Sequence, residues 1–151
     1  MPSTNVVTPS IHICAGNFFT NTKWIKDVGY NTNIFFEGEE QILALSSFLA
    51  GYKIFHQRKI KVYHYLWSSK HDTKHTNNPV LTQERLNFLQ QRTWDEINDY
   101  IYSIDESDLE SYRKATGVDY INRKLEERAI SRGIKPNPDA IVDWEVPNRE
   151  D

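Results

Sequence analysis

The sequence contains a single cysteine, Cys14, among 151 residues. One cysteine excludes a disulfide within the chain and is typical of a reducing compartment. Because Cys14 lies in the apolar run at 11–15, we expect it to be a buried small hydrophobe. No apolar run approaches the roughly 18 residues of a membrane-spanning helix, and the first residues lack the basic, then apolar order of a signal peptide. We therefore expect a soluble, cytoplasmic chain with no membrane partner.

The chain also lacks a strong excess of one charge, with a formal net charge of −3. Residues 53–75 nevertheless hold six Lys or Arg, four His and one acid, whereas residues 84–113 hold eight acids and three bases. The first segment is interleaved with aromatic residues, so it is either a surface for phosphates or single-stranded nucleic acid, or a solvated strand face. No nucleic-acid motif, glycine-rich phosphate loop or G-x-S-x-G sequence occurs, and nucleic acid is not an expected partner.

Apolar residues are plentiful enough for a core, since 38% of the chain is hydrophobic and 13% is aromatic. The pattern predicts a strand over 11–15, and then a loop in which Trp24 and Ile25 serve as anchors. A helix over 39–50 follows, with apolar residues at helical spacing and Gly51 as its stop. Two short strands are predicted over 52–55 and 60–65.

The second half of the chain is predicted to be helical. Thr82 is expected to cap a long helix, and a capping box over 107–110 to open a short helix that Gly117 ends. Asp119 is expected to cap a last helix that ends near Arg132. The stripe of the long helix consists of Leu86, Leu89, Trp94, Ile97, Ile101 and Ile104.

Three carboxylates and a glycine stand immediately before the helix that starts at 39. Glu37, Glu39 and Glu40, with His64 at the end of a later strand, are typical of a site that orients a hydroxyl and holds a divalent metal. The carboxylates could equally serve only the helix N-terminus, and His64 could be a hydrogen-bonded core residue. His71 and His75 have i, i+4 spacing but no accompanying Glu or Cys motif for zinc.

Read in order, several segments resemble one family. I-C-A-G-N-F-F (13–19), Y-N-T-N-I-F-F-E-G-E-E-Q (30–41), L-A-G-Y-K-I-F (49–55) and K-V-Y-H-Y (61–65) resemble the latter half of the GT-A-type GlcNAc glycosyltransferases. These include enzymes that add N-acetylglucosamine to hydroxyproline, with bacterial and viral relatives. The segment D-L-E-S-Y-R-K-A-T-G-V-D-Y (108–120) is similar to the family's trailing part.

The resemblance implies an α/β fold: the acceptor-side, C-terminal half of a GT-A-like fold at 11–80, after a lead-in at 1–10. A helical extension at 81–135 and an extended tail at 136–151 follow. It implies transfer of a sugar, most simply GlcNAc, from a UDP-sugar donor to a hydroxyl acceptor on a protein or glycan, with Mn²⁺ or Mg²⁺ as cofactor. The implied roles are catalysis for Glu39 and Glu40, metal binding for His64, and substrate binding for Gly16, Asn17, Glu37, Trp67 and Lys70.

One element of the family's pattern is missing. These enzymes carry an aspartate-x-aspartate motif in an N-terminal nucleotide-binding half, and this chain has no D-x-D. The resemblance therefore implies a fragment, a split subunit or an inactive relative, with a separate chain supplying the nucleotide-binding half. Two alternatives from other classes remain: a non-catalytic module that binds glycan or protein, and a nucleic-acid-binding accessory protein.

Overall fold

The computed structural model describes residues 7–14, 16–35, 38–57 and 82–131. Helices and small antiparallel sheets are mixed there, in agreement with the α/β expectation. In chain order the elements are β1 (Val7–Ser10), α1 (Thr22–Asp27), α2 (Glu39–Leu49), β2 (Ile54–Gln57), α3 (Gln83–Tyr102), α4 (Glu106–Thr116), β3 (Val118–Asp119), β4 (Lys124–Leu125) and α5 (Glu127–Ile130).

Helix α2 lies at the centre of the described structure. Four consecutive residues, 42–45, are buried, and successive helix residues point about 100° apart. Four in a row can be buried only when neighbours surround the helix. Leu45 packs with α4, the second hairpin and α5, Leu43 and Ala44 pack with Trp24, and Ile42 packs with Ile34 and Ile97. The predicted helix is confirmed, and Gly51 follows its end in the left-handed region, at φ 78°.

The first strand lies earlier than predicted. β1 ends at Ser10, within the segment expected to be a lead-in, and pairs antiparallel with β2. The strand predicted over 11–15 is wrong because the backbone N–H of His12 bonds to the Ser10 hydroxyl (3.3 Å), while Ile11 and Ile13 pack as core residues without a strand. Cys14 is exposed, so its predicted burial is also wrong. The strand predicted over 52–55 begins two residues later, at Ile54.

Helix α1 was not predicted, although one of its two expected anchors is correct. The Asn21 side chain accepts a hydrogen bond from the Trp24 backbone N–H (2.9 Å) and so caps the helix. The Trp24 indole is buried and donates to the buried Ser47 hydroxyl (2.9 Å). Ile25, by contrast, is 59% exposed and anchors nothing.

Helix α3 begins as predicted, since the Thr82 hydroxyl accepts a hydrogen bond from the Arg85 backbone N–H (3.2 Å). Helix α4 begins one residue before the predicted capping box, after Asp105. The predicted box does not form because Asp105 is the N-cap, which places Ser107 inside the first turn. The Glu110 carboxylate pairs instead with Arg113, at 2.6 and 2.8 Å. Gly117 ends α4 as predicted, at φ 84°.

The last helix predicted from Asp119 is replaced by a hairpin. Asp119 belongs to β3, and its carboxylate accepts hydrogen bonds from the backbone and side chain of Asn122 (2.9 and 3.0 Å). The carboxylate therefore caps a turn instead of a helix, with Arg123 at φ 54°. Only the short α5 follows within the described residues.

The core of the predicted acceptor-side half continues into the predicted helical extension. One cluster contains Ile11 and Leu45 together with Leu109, Tyr112 and Val118. The division of the chain into domains stays a prediction, and the strand predicted over 60–65 and the tail from 136 lie outside the described residues. No helix in the described ranges has the length and apolar character to cross a bilayer.

Candidate functional site

The predicted carboxylate corner lies at the N-terminus of α2. Gly38 precedes the helix at φ 82°, and Glu39 and Glu40 occupy the first turn. A Cβ atom at position 38 would lie 2.3 Å from Cδ1 of Ile97, so α3 crosses the corner at van der Waals contact. Glycine is therefore required here both by the backbone conformation and by the approach of Ile97. Negative charge is favourable at this end of a helix.

Tyr30, which was not predicted as a site residue, holds Glu39. The Tyr30 hydroxyl donates a hydrogen bond to Oε2 of Glu39, and this bond, with smaller contributions from burial and from the carboxylate charge, raises the pKa of Tyr30. Glu39 is half-buried, whereas Glu40 is exposed. The two adjacent glutamates thus differ, since Glu39 has an oriented carboxylate and Glu40 lies nearer to solvent.

The loop between Tyr30 and the corner is fastened to α3. The amides of Asn31 and Asn33 both donate to the Glu96 carboxylate, at 3.3 and 3.0 Å. The backbone N–H of Phe35 donates to the hydroxyl of Thr93 (2.7 Å), whose side chain is 1% exposed. Helix α3 therefore positions the segment that leads into Glu39. In the sequence, this segment was marked only by the Y-N-T-N part of the 30–41 motif.

Gly16 and Asn17 form the turn after the core residue Ile13. The Asn17 backbone N–H donates to the Cys14 carbonyl (3.0 Å), and both predicted residues are exposed. A Cβ atom on Gly16 would meet nothing within 4 Å, so packing does not require glycine there. Ile13 packs with Leu43 and Ala44, which places this turn beside α2.

A further polar group lies next to Glu40. The rings of His12 and His56 meet edge to face, with centroids 4.5 Å apart, and Ser10 Oγ lies 2.9 Å from His56 Nε2. Burial lowers the pKa of His12, and His56 lowers it further, whereas the Glu40 carboxylate acts in the opposite direction. Neither histidine was singled out from the sequence, because their meeting depends on the pairing of β1 with β2.

Four predicted site residues lie outside the described residues: Glu37, His64, Trp67 and Lys70. Their roles stay predictions. Within the described ranges, no group of three or more His, Cys, Asp or Glu side chains is arranged to hold a metal ion. The fit of the implied metal therefore depends on His64 and on ligands from elsewhere.

Comparison with known proteins places the chain in one family. A family model described as "Glycosyltransferase (GlcNAc)" matches residues 1–128. No curated protein and no solved structure matches the chain. The family match spans the Glu39–Glu40 corner, the loop that Tyr30 begins and the α3 residues that hold it. On this match, the chain belongs to the GlcNAc glycosyltransferase family.

Proposed function

We propose that this chain forms the acceptor side of a UDP-sugar-dependent glycosyltransferase that transfers GlcNAc to a hydroxyl group on a protein or glycan. Family membership supports transfer of a glycosyl group. The observation that carries the proposal is the corner at Gly38–Glu39–Glu40, which is contacted by Tyr30 from the preceding loop and by Ile97 from α3. A carboxylate held in this way is suited to accept a hydrogen bond from a sugar or acceptor hydroxyl.

In this proposal Glu39 orients the acceptor hydroxyl and the transferred sugar. The hydrogen bond from Tyr30 engages Oε2, and Oε1 would accept a hydrogen bond from substrate. Glu40, one residue further along the first turn, supports the site through its negative charge. Gly16, Asn17 and Glu37 would line the acceptor cleft.

The donor side of the site draws on residues beyond the described ranges. His64 would bind Mn²⁺ or Mg²⁺ together with aspartates from a separate nucleotide-binding half. When bound, such a metal stabilises the negative charge that develops on the departing diphosphate. Lys70 would add a positive charge near the phosphates, and Trp67 would help to exclude water from the donor.

Calorimetric titration with UDP, in the presence and absence of Mn²⁺, tests the donor part of the proposal. We expect UDP binding that requires Mn²⁺ and is lost in His64→Ala, measured on the chain together with the nucleotide-binding half. The matched control is His71→Ala, which removes a histidine from the same segment. UDP binding that is indifferent to both Mn²⁺ and His64→Ala would contradict the proposal.

Substitution of Glu39 tests the acceptor part. Glu39→Gln keeps the shape of the side chain but removes its charge, so we expect sugar transfer to fall by roughly 100-fold or more while UDP affinity changes little. Glu40→Gln is the matched control on the same helical turn and should cost less. Equal losses of transfer and donor binding in Glu39→Gln would indicate a merely structural role.

A further inference from the structure

The end of the β1–β2 ladder carries a polar group that the proposed transferase site does not use. His56 lies in β2, and His12 follows β1 by two residues. Their rings meet at 80°, with centroids 4.5 Å apart. His56 pairs with Thr8 and Ile54 with Ser10, so the ladder alone does not place His12 opposite His56. The contact of the Ser10 hydroxyl with the His12 backbone N–H (3.3 Å) accompanies the turn after β1 that brings the two rings together.

The Ser10 hydroxyl lies within hydrogen-bond distance of both His12 and His56. Ser10 Oγ lies 3.2 Å from the His12 carbonyl oxygen, which can only accept a hydrogen bond. The same oxygen accepts from the His12 backbone N–H (3.3 Å) and lies 2.9 Å from Nε2 of His56. When Nε2 of His56 donates in this contact, the lone pair of the neutral His56 ring is on Nδ1.

His12 offers a second free nitrogen. Its Nδ1 is buried and has no hydrogen-bond partner among the described residues. Buried polar atoms without a partner are rare in folded proteins, and one that lies against a second imidazole calls for a ligand. The Glu40 carboxylate also acts electrostatically on this ring, and its negative charge favours a cation.

We propose that His12 and His56 form a two-imidazole site for a divalent transition-metal ion of the zinc, nickel and copper class, with Nδ1 of each ring as the ligand atom. Imidazole suits these ions better than it suits Mg²⁺ or Mn²⁺. At metal–nitrogen distances of about 2.0–2.1 Å, two imidazoles on one ion have ring centroids about 4.5 Å apart at a right angle and about 5.2 Å apart at a tetrahedral angle. The observed 4.5 Å fits the right-angle positions that nickel and copper offer.

The surroundings of the pair fit this assignment. A ligating histidine usually donates its other ring N–H to an oxygen, and Ser10 provides that oxygen for Nε2 of His56. Among the described residues, no third His, Cys, Asp or Glu forms a metal-holding cluster with the pair. The site is separate from the metal proposed at His64, since it uses neither that residue nor a diphosphate.

Nickel titration of the full chain, after removal of metal by a chelator, tests the assignment. We expect binding of one Ni²⁺ ion, with an affinity at least tenfold lower in His12→Ala and in His56→Ala. His75→Ala, which removes a histidine outside the described residues, is the matched control and should bind Ni²⁺ as the native chain does. Unchanged affinity in both variants of the pair would overturn the proposal, and so would loss of binding in His64→Ala alone.

A second measurement uses only the native chain, so it remains informative if a histidine variant fails to fold. Paramagnetic Ni²⁺ or Cu²⁺, added in substoichiometric amounts, should broaden the imidazole NMR signals of His12 and His56 before those of the three other histidines. Broadening that begins at His64, His71 or His75 and spares the pair would contradict the site.

Discussion

Gly38 is the single residue on which the geometry of the carboxylate corner depends most directly. Its φ of 82° lies in the left-handed region, and a Cβ atom would also meet Ile97 at 2.3 Å. Gly51, at the other end of α2, has a similar φ of 78° but nothing within 4 Å of a Cβ. The two glycines therefore separate the cost of backbone conformation from the cost of packing.

We predict that Gly51→Ala lowers the free energy of unfolding by about 1–2 kcal/mol, the cost of a left-handed alanine. Gly38→Ala should cost about 1–3 kcal/mol more, because Ile97 must also move. Gly16→Ala, with open space around it, should change the free energy of unfolding by less than about 0.5 kcal/mol. Urea unfolding of the three variants measures the series. Equal losses at positions 38 and 51 would show that Ile97 yields at no cost.

The hydrogen bond between Tyr30 and Glu39 is testable without an activity assay. The pKa of Tyr30 is raised first by its hydrogen bond to Glu39, and then by burial and by the Glu39 charge. We predict that Glu39→Gln lowers the pKa of Tyr30 toward its ordinary value near 10, because the negative charge is removed. An NMR titration of the Tyr30 ring measures the change. Glu40→Gln is the control, and an equal drop there would contradict a specific partnership with Glu39.

At the scale of elements, one network of ion pairs joins α4 to α5. Arg113 contacts Glu110 at 2.6 Å and Glu126 at 2.5 Å, and Arg128 contacts Glu126 at 2.7 Å. Arg128 also donates to the Arg113 carbonyl (2.8 Å) and to that of Lys114, so it satisfies carbonyls at the C-terminus of α4. These contacts hold together the two helices that precede and follow the β3–β4 hairpin.

This network should make stability depend on pH in the acid range. The Arg113 hydrogen bond lowers the pKa of Glu110 to about 2, and Arg128, with Arg113, lowers the pKa of Glu126. A lowered carboxyl pKa stabilises the fold above the unfolded value near 4.5, and this stabilisation is lost as the pH falls toward 2. We predict that Glu110→Gln flattens the dependence of the urea midpoint on pH between these limits.

Salt provides the control for that measurement. The side chains of Glu110, Arg113 and Glu126 are each about one-third exposed, so about 1 M salt, where the screening length is about 3 Å, should reduce the difference between native chain and variant. A pH dependence that is the same in Glu110→Gln as in the native chain, at low salt, would show that the network does not contribute.

The sequence predicted the elements that local signals define. The cap at Thr82 and the glycines after α2 and α4 all act within a few residues, and each is confirmed. The strands were harder because β1 and β2 have four residues each, and their pairing joins distant parts of the chain. Asp119 shows what local sequence cannot distinguish, because an aspartate caps a turn and a helix by the same kind of hydrogen bond.

The site was predictable to a similar extent. The position of Glu39 and Glu40 in the first turn of a helix follows from the local pattern and is confirmed. The contacts of Tyr30 with Glu39 and of Thr93 with the Phe35 backbone follow from tertiary packing, which no periodicity encodes. The same is true of the pair formed by His12 and His56.

For the molecule as a whole, α2 contributes to each of the three core clusters of the described residues. Its consecutive buried residues contribute to three clusters: Ile42 to the one with α3, Leu43 and Ala44 to the one with Trp24, and Leu45 to the one with α4 and the second hairpin. The carboxylate corner stands at the start of this same helix. The geometry of the site is therefore coupled to the integrity of each cluster.

We predict from this arrangement that Leu45→Ala lowers the free energy of unfolding by about 2–5 kcal/mol, the usual cost of truncating a buried leucine. Because α2 belongs to all three clusters, far-UV circular dichroism and tryptophan fluorescence should report one coincident transition in the native chain and the variant. Phe19→Ala, at a side chain that is 92% exposed, is the control and should change the free energy of unfolding by less than about 0.5 kcal/mol. If fluorescence changed at lower urea than the helical signal in Leu45→Ala, the clusters would be independent, and α2 would not couple them.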